Sequence, residues 1–469
     1  MTKHKVIVDK VFNIFKDNNI YLVGGSVRNF LINQYKNTNI EIDDLDFAID
    51  CKPEETIEIL KKNNLKYYPI GIKFGTIGFA LDDMYIEVTT FRKNEKYNHH
   101  NRFPSVEFGL SIEEDLARRD FTINAIALDR QWTRIDPYKG SQDIIFEKIR
   151  CPLSADIAFS DDPLRMLRAI RFASKLNFNI MPETYLGIEK NVHLILNLSV
   201  ERIQDEFNKI LLSNNPRLGL DLLAKTRLLN YFLHELVPCI NLDQGLKWHH
   251  KDVWGHVLDV VNNLRGCNNL ELLLAGVLHD IAKPYTRSIT KIESSNVFIL
   301  TKDEIHFYNH DWLGGIIAEG ILKRLKYSND TIKKVCFLVS NHMRPNHYNT
   351  QWKDSAVRRF VQDVGEYRED VLELSKADIT SHNPDRVLSG VARIDELAKR
   401  CKELKELIVV KYPLDGNDIM LAFNLTQGKD VGIMKKRLEE AYNSGILNIN
   451  STKEDCLELL KKEVLWTAM

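Results

Sequence analysis

Tyr21-Leu22-Val23-Gly24-Gly25-Ser26-Val27-Arg28, followed by Asp44-Leu45-Asp46-Phe47-Ala48-Ile49, is the stretch on which the reading of this chain turns. An apolar run ends in a glycine pair and an arginine. Glycines after a strand let backbone amides approach phosphate oxygens, and a helix start behind them adds positive potential. Arg28 adds a bidentate charge. If Asp44–Ile49 is a strand, Asp44 and Asp46 share one face while Leu45 and Phe47 point into a core. Asp43 then falls on the opposite face. Two carboxylates on one strand face suit Mg²⁺, a hard ion that takes oxygen ligands. Either motif alone reads as a turn or as solvated edge charge. Together they predict a site for a nucleoside triphosphate and metal.

The 469 residues carry 64 Lys and Arg against 65 Asp and Glu, a formal net charge of -1. Bulk charge therefore does not attract nucleic acid, and any such partner must be held by local clusters such as Lys323-Arg324, Lys333-Lys334 and Arg358-Arg359. Seven scattered cysteines without a Cys-x-x-Cys pair argue against a zinc ribbon or disulfide framework and fit a reducing compartment. No apolar run is long enough to span a bilayer, and Met1-Thr2-Lys3-His4-Lys5 lacks a signal-peptide core. The expectation is a cytoplasmic protein without a membrane partner.

Strand signals at Ile20–Val23, Leu45–Ile49, Thr76–Leu81 and Tyr85–Thr89 crowd the first 150 residues, with Asp82-Asp83 as a hairpin turn. Beyond Ser154 helical periodicity dominates. The fold class is an α/β head followed by a long helical body, with candidate boundaries at Asn241–Gly245 and Leu414–Asn417.

Three further segments extend the opening motif. Glu87, in Tyr85–Arg92, lies in a strand that can bring a third carboxylate to the metals. In Ser111–Ala127 the apolar positions Ile112, Leu116, Ile123, Ile126 and Ala127 suggest helical packing, with Arg119, Asp120 and Asn124 turned toward a nucleotide. In Ser160–Ala173, Ser160 reads as a helix N-cap, with acids and a proline in the first turn. Leu164, Leu167, Ile170 and Ala173 form a packing ridge. Asp162, Arg165, Arg168 and Arg171 form the neighbouring one, facing either the nucleotide or solvent as ordinary ion pairs.

These segments resemble the class II tRNA nucleotidyltransferases, which include CCA-adding enzymes and related bacterial poly(A) polymerases. The shared patterns are Gly-Gly-x-Val-Arg at Gly24–Arg28, Asp-x-Asp at Asp44–Asp46 and Arg-Arg-Asp-Phe-Thr-Ile-Asn-Ala at Arg118–Ala125. Asp161–Ala173 and Glu-Arg-Ile-x-x-Glu at Glu201–Glu206 continue the series. The resemblance runs from Tyr21 to about Asn208. It implies a polymerase-beta-like nucleotidyltransferase head over residues 1–150, a helical neck over 151–240, and two Mg²⁺ ions on Asp44 and Asp46 with Glu87 catalytic beside them. The ions would activate the RNA 3′-hydroxyl and steady the leaving pyrophosphate. It implies nucleotide binding by Gly24, Gly25, Arg28, Arg119, Asp120, Asn124, Arg168 and Arg171. Asp162 and Arg165 would read the base, accepting from the exocyclic amine of cytosine or adenine and donating to the adjacent ring nitrogen. Uracil and guanine reverse that pattern and lose roughly 1–3 kcal/mol per unmade hydrogen bond. Two departures stand out: Asn29 where the family usually has Asp, and Asp161 where relatives often have Glu.

The helical body carries a second series: His256, His279-Asp280, His310, His342 and Asp378, preceded by His249-His250. Adjacent His-Asp in an apolar helix, with more ligand types on later helices, suits a metal site. The order resembles the HD superfamily of metal-dependent phosphohydrolases, which implies an HD domain over 241–400 holding a transition metal, before a helical tail over 401–469. The expected function is addition of CCA to tRNA 3′ ends from CTP and ATP, with HD-domain phosphohydrolase activity beside it. The alternatives are an A-adding enzyme or poly(A) polymerase, and an HD phosphohydrolase whose head only binds RNA. The segment Arg92–Arg102, with Tyr97, Asn98, His99 and His100, resembles the loop linked to switching from C to A, which favours full CCA addition.

Overall fold

The computed structural model describes all residues except 1, 43, 97–104, 246–251, 291–303, 382, 409–412, 427, 444–445, 448–450 and 468–469. Asp43, the Tyr97–His100 segment and His249-His250 lie outside the described residues. The chain divides into two compact units. The first comprises Met1–Pro238 with Arg265–Leu270 and Ile321–Tyr327, and the second holds the remainder.

The first unit opens with α1 (Thr2–Ile14), β1 (Ile20–Val23), α2 (Gly24–Lys36), β2 (Asp44–Ile49) and α3 (Pro53–Lys62). Strands β3 (Tyr67–Gly71), β4 (Thr76–Leu81) and β5 (Met84–Thr90) follow. The chain continues through β6 (Arg92–Lys96), β7 (Ser105–Phe108), α4 (Ile112–Ala117), β8 (Ala127–Leu128) and β9 (Arg134–Ile135). Seven strands form one sheet in the order β3-β4-β5-β2-β1-β8-β9. β2 runs antiparallel to β1, with Val23 opposite Asp46, and parallel to β5, with Asp46 opposite Glu87. Period-two alternation fixes this arrangement. Leu45, Phe47, Ile86 and Val88 are buried, and burial of each large apolar side chain stabilises the fold by roughly 1.5–3 kcal/mol. The intervening Asp44, Asp46 and Glu87 are left on the other face. Asp82 and Asp83, between β4 and β5, both take positive φ as a tight hairpin turn.

Residues 111–127 differ from the single helical stretch that their apolar spacing suggests. Helix α4 stops at Ala117, a 3₁₀ turn covers Thr122–Asn124, and Ala127 already belongs to β8. Asp115 and Asp120 account for this: each is buried and draws hydrogen bonds from its neighbours, and such local bonds compete with a continued helix.

After α5 (Gly140–Ile145) and β10 (Lys148–Ile149), the unit becomes helical with α6 (Ala155–Asp161), α7 (Leu164–Leu176), β11 (Asn179–Ile180), α8 (Pro182–Asn191), α9 (Val200–Leu211), α10 (Pro216–Lys225) and α11 (Leu229–Phe232). Ser160 is not an N-cap. It sits in the last turn of α6, and the break falls at Asp162 (φ -142, ψ 99), because a residue preceding proline is pushed out of the helical region. Leu164, Leu167, Ile170 and Ala173 are buried as the packing ridge of α7.

The second unit contains α12 (Val253–Asn263), α13 (Leu270–Leu278) from Glu271 on, α14 (Lys283–Thr286), the β12–β13 hairpin (Arg287–Thr290, Glu304–Phe307), α15 (His310–Arg324) as far as Gly320, and α16 (Asn329–Asn341). Helices α17 (Asp354–Val364), α18 (Arg368–Asp378) and α19 (Pro384–Ile408) follow. The last helices, α20 (Gly416–Phe423), α21 (Lys429–Asn443) and α22 (Lys453–Thr467), close on a core of their own around Ile419, Leu438, Cys456 and Leu460. Asp415 opens α20 with a reciprocal capping box to Asp418. Among the described residues no helix is long and apolar enough to cross a membrane.

Gly140 marks the tightest approach near the site. A Cβ there would lie 2.0 Å from the Thr122 carbonyl oxygen. Gly140→Ala should therefore push the 122–124 turn aside and lower the unfolding free energy in urea by roughly 1–3 kcal/mol.

Candidate functional sites

A cavity of about 780 Å³ opens in the first unit above the Asp44/Asp46 face of β2. Gly24, Gly25 and Arg28 line one side, and Arg118, Arg119, Asp120 and Asn124 another. Asp162, Arg165, Arg168 and Arg171 complete it from the α6–α7 joint and α7. Every candidate residue of the head and neck lines this cavity except Glu87.

Gly24 starts α2 with φ +75, and a Cβ on it would meet the Asp46 carboxylate at 3.0 Å. Only glycine gives this turn and this approach. Burial, together with the charges of Asp44 and Glu87, raises Asp46 to about 6, against the pull of Arg119 and Arg28. Glu87 is likewise raised, by burial and by Asp44, and exchanges a hydrogen bond with Tyr85. Carboxylates whose burial and mutual repulsion outweigh the nearby arginines are a donor set that fits a divalent cation.

The opposite wall is basic and held rigidly. Asp120 accepts from its neighbour's amide at Phe121 (2.8 Å), from Asn124 Nδ2 (2.8 Å) and from Arg168 Nε (2.9 Å). Arg28 donates through NH1 to Asn124 Oδ1 (2.7 Å) and through Nε and NH2 to Asn29 Oδ1 (3.1 and 2.8 Å). Asn29 therefore keeps Arg28 in place without a carboxylate. Arg171 pairs with the buried Glu206 at 3.2 Å. Arg28, Arg168 and Arg171 all lie against the ring of Phe172, at 5.1, 5.6 and 4.6 Å. Asp162 accepts from the Leu164 amide (3.2 Å) and from Arg202 NH2 (3.2 and 3.3 Å to its two oxygens). Arg165 donates to the carbonyls of Arg118 (2.6 Å) and Ala158 (3.4 Å).

The sequence reading missed Asp115, Arg118, Phe172, Lys175, Arg202 and Lys209. Arg202 and Lys209 are separated by two turns of α9, so they share a face, and that spacing was the available signal. Asp115 is fully buried and takes Arg118 on one oxygen (2.6 Å) and Arg119 on the other (2.8 Å).

In the second unit, His256 Nε2 lies 3.2 Å from His279 Nε2 and 2.8 Å from Asp378 Oδ1. His279 Nε2 lies 3.3 Å from Asp280 Oδ2, and His310 Nε2 3.4 Å from Asp280 Oδ1. His256, His279 and Asp280 form one group of donors, and Asp280, His310 and His342 a second that shares the aspartate. The other ring nitrogens are tethered. His279, His310 and His342 donate from Nδ1 to the carbonyls of Gly276, Phe307 and Val339, and His256 Nδ1 meets the Thr380 hydroxyl. Those tethers fix the tautomer that presents Nε2 inward. The Nε2 atoms of His310 and His342 are buried without a hydrogen-bond partner, which costs free energy unless a cation receives them. Burial lowers His279, but Asp280 and Asp378 outweigh it and raise it to about 10, because these acids call for positive charge at this point, which a cation at Nε2 would supply. Burial and the neighbouring His279 push His342 down to about 4. The residues fit a metal.

Three family models match in sequence: the poly(A) polymerase head domain over residues 20–150, the probable RNA- and SrmB-binding site of polymerase A over 177–240, and the HD domain over 253–398. The CCA-adding enzyme of Streptococcus mutans is 29% identical over 95% of this chain and 93% of its own length. The chain thus matches a poly(A) polymerase head, a polymerase A RNA-binding region and an HD domain in that order, and it is similar to a CCA-adding enzyme along nearly its whole length. The CCA-adding enzyme of Geobacillus thermodenitrificans is 41% identical, over 45% of this chain and 50% of its own length, so the chain spans about half of that relative. In structure, the Bacillus stearothermophilus CCA-adding enzyme in complex with CTP aligns over 98% of both chains (TM-score 0.65, 23% identity). The Thermotoga maritima enzyme complexed with tRNA aligns over 98% of this chain and 96% of its own (TM-score 0.62, 18% identity). These last two likenesses bear on the fold.

The Asp115 clamp gives an acid-stability test. Burial alone would raise this carboxyl, but Arg119 and Arg118 outweigh it and hold it at about 2. A lowered folded pKa contributes stability above the ordinary carboxylate range and loses it as pH falls toward 2. The Asp115 ionisation is worth roughly 2 kcal/mol, fully present above about pH 5. The stability gap between wild type and Asp115→Asn, followed by urea unfolding at pH 6 to 3, should narrow progressively below pH 4.

Proposed function

We propose that this chain adds CCA to tRNA 3′ ends from CTP and ATP by nucleotidyl transfer in the first-unit cavity. The observation that carries this reading is the cavity's polarity: Asp44 and Asp46 on one wall face Arg28, Arg119, Arg165, Arg168 and Arg171 on the others. A metal–triphosphate complex, cationic at its metal and anionic along its phosphates, has one end for each wall.

In this reading Asp44 and Asp46 hold Mg²⁺, with Glu87 lending charge from the adjoining strand. The ion, when bound, supplies Lewis-acid stabilisation of the phosphoryl oxygens. The chain's own groups do the remaining work. Amides at the Gly24–Gly25 helix start and the Arg28 guanidinium receive the triphosphate. Arg119, Asp120 and Asn124 line the ribose side. Asp162 and Arg165 read the base edge, and their ties to Arg202, to the Leu164 amide and to two backbone carbonyls keep them oriented before the nucleotide arrives. Arg168 and Arg171 carry positive charge to the primer and triphosphate. Seven free cysteines support a reducing, cytoplasmic setting.

The second unit supports a separate phosphohydrolase activity on phosphomonoesters or cyclic phosphodiesters with a transition metal, because His310 and His342 present inward Nε2 atoms that lack partners.

The decisive experiment supplies tRNAs truncated at successive 3′ positions with CTP, ATP or both, and sequences the product ends. Full CCA is expected with both nucleotides, and A-only or homopolymer products would reject the reading. Asp44→Ala and Asp46→Ala should each lower addition by at least about 10³-fold, the order expected when a group that stabilises transition-state charge is lost. Retention of most activity would remove the metal role. The double substitution His279→Ala, Asp280→Ala should leave addition within about twofold while abolishing bound transition metal, measured by elemental analysis, and any phosphatase activity. The two sites share no residue and are expected to act independently.

A further inference from the structure

Arg28 is 6% exposed, and each of its hydrogen bonds goes to a neutral amide oxygen: Asn124 Oδ1 from NH1, Asn29 Oδ1 from both Nε and NH2. Its two arginine companions on the Phe172 ring each touch an acid instead, Arg168 on Asp120 and Arg171 on Glu206. Of these three guanidinium groups the buried one is the one with no carboxylate in contact: Arg28, which lines the cavity beside Gly25, while Arg168 and Arg171 are partly exposed. A buried cation normally takes an anionic partner, because leaving water is costly. Burial lowers Arg28 to about 10 in spite of Asp120, so the group remains charged at neutral pH. Asn29 cannot turn its other atom toward Arg28 cheaply, since its Nδ2 donates to the Glu41 carbonyl (3.2 Å). That bond fixes which end of the amide meets the guanidinium.

We infer that Asn29 is a positioning residue that orients Arg28 while leaving its charge uncompensated, so that the cavity recruits a polyphosphate anion. The chemistry is shared by a nucleotide's triphosphate and by inorganic pyrophosphate. A carboxylate at position 29 would hold the guanidinium equally well but would neutralise it in advance, competing with the ligand. The inference rests on Arg28 receiving phosphate oxygens, as proposed above.

The test titrates inorganic pyrophosphate into the full chain in the presence of chelator, by calorimetry, alongside steady-state KM values for CTP and ATP. Asn29→Asp should weaken pyrophosphate binding by about tenfold at low salt, the scale of one unit charge a few ångströms from the ligand. KM for CTP and ATP should rise by a common factor, and the preference for CTP over UTP should not move. A rise confined to pyrophosphate assigns the anion to the leaving group, and a joint rise to the triphosphate; both support the inference. Asn29→Ala, which removes the tie without adding charge, should also weaken binding, by a factor that salt leaves unchanged, whereas the loss in Asn29→Asp should shrink as salt rises. Unchanged pyrophosphate affinity in Asn29→Asp, or a loss there that salt does not diminish, overturns the inference. Should the aspartate variant fail to fold, the alanine variant suffices, because unchanged pyrophosphate affinity there removes the positioning role. Arg28→Gln separates the two levels: if it leaves pyrophosphate binding intact, the reading of Arg28 itself fails, whereas a loss there with no effect of Asn29→Asp defeats only the role of Asn29.

Discussion

One buried carboxylate, Asp120, holds the first site together. It sits just past α4 in the head and receives Arg168 from α7, so a single ion pair ties the sheet-bearing part of the unit to the helix that forms the far wall. Its other oxygen orders Asn124, and Asn124 in turn orders Arg28. Three cationic or amide groups thus take their directions from one acid. A buried acid in this position is tolerable because its own amide neighbour, an asparagine and an arginine satisfy it, and they hold its pKa down against the cost of desolvation. The arrangement trades burial cost for direction, and direction is what a site needs when it must place a flexible ligand.

The two sites answer the same electrostatic problem in different ways. In the first unit the β2 acids stand on one wall and most of the arginines on the others, so each wall lacks something that a ligand brings. In the second unit acids and imidazoles are packed within hydrogen-bond range, so their donor atoms converge on one small volume. One arrangement is open and suited to turnover of a large substrate. The other is enclosed and suited to retaining a small ion.

Much of this was legible in the sequence because it depends on short periods. Alternation along Asp44–Ile49 is enough to separate the acids from Leu45 and Phe47, and a three-residue step along α7 is enough to align Arg165, Arg168 and Arg171. The order of His256, His279, Asp280, His310, His342 and Asp378 was equally readable, since the donors are ligand types in an apolar helical setting. What was not legible is long-range. No local pattern announces that Arg168 meets Asp120, that Arg202 reaches Asp162, or that three imidazoles are tethered through Nδ1 to backbone carbonyls. The error at Ser160 is of another kind: the chain does place a break there, but Pro163 moves it two residues on, a rule available from the sequence and outweighed by an attractive capping residue. The broken helix after Ala117 reflects acids that bind their own neighbours, which apolar spacing does not register.

The break at Asp162 has a mechanical consequence. The carboxylate is mounted at an elbow between two rods rather than on either one, with extended backbone between α6 and α7. A rotation of a few degrees at that elbow would swing its oxygens sideways, whereas Arg165, the second residue of α7, would travel with the rod. Bending there would change the spacing of these two groups without unwinding either helix, limited by the ties of Asp162 to the Leu164 amide and Arg202.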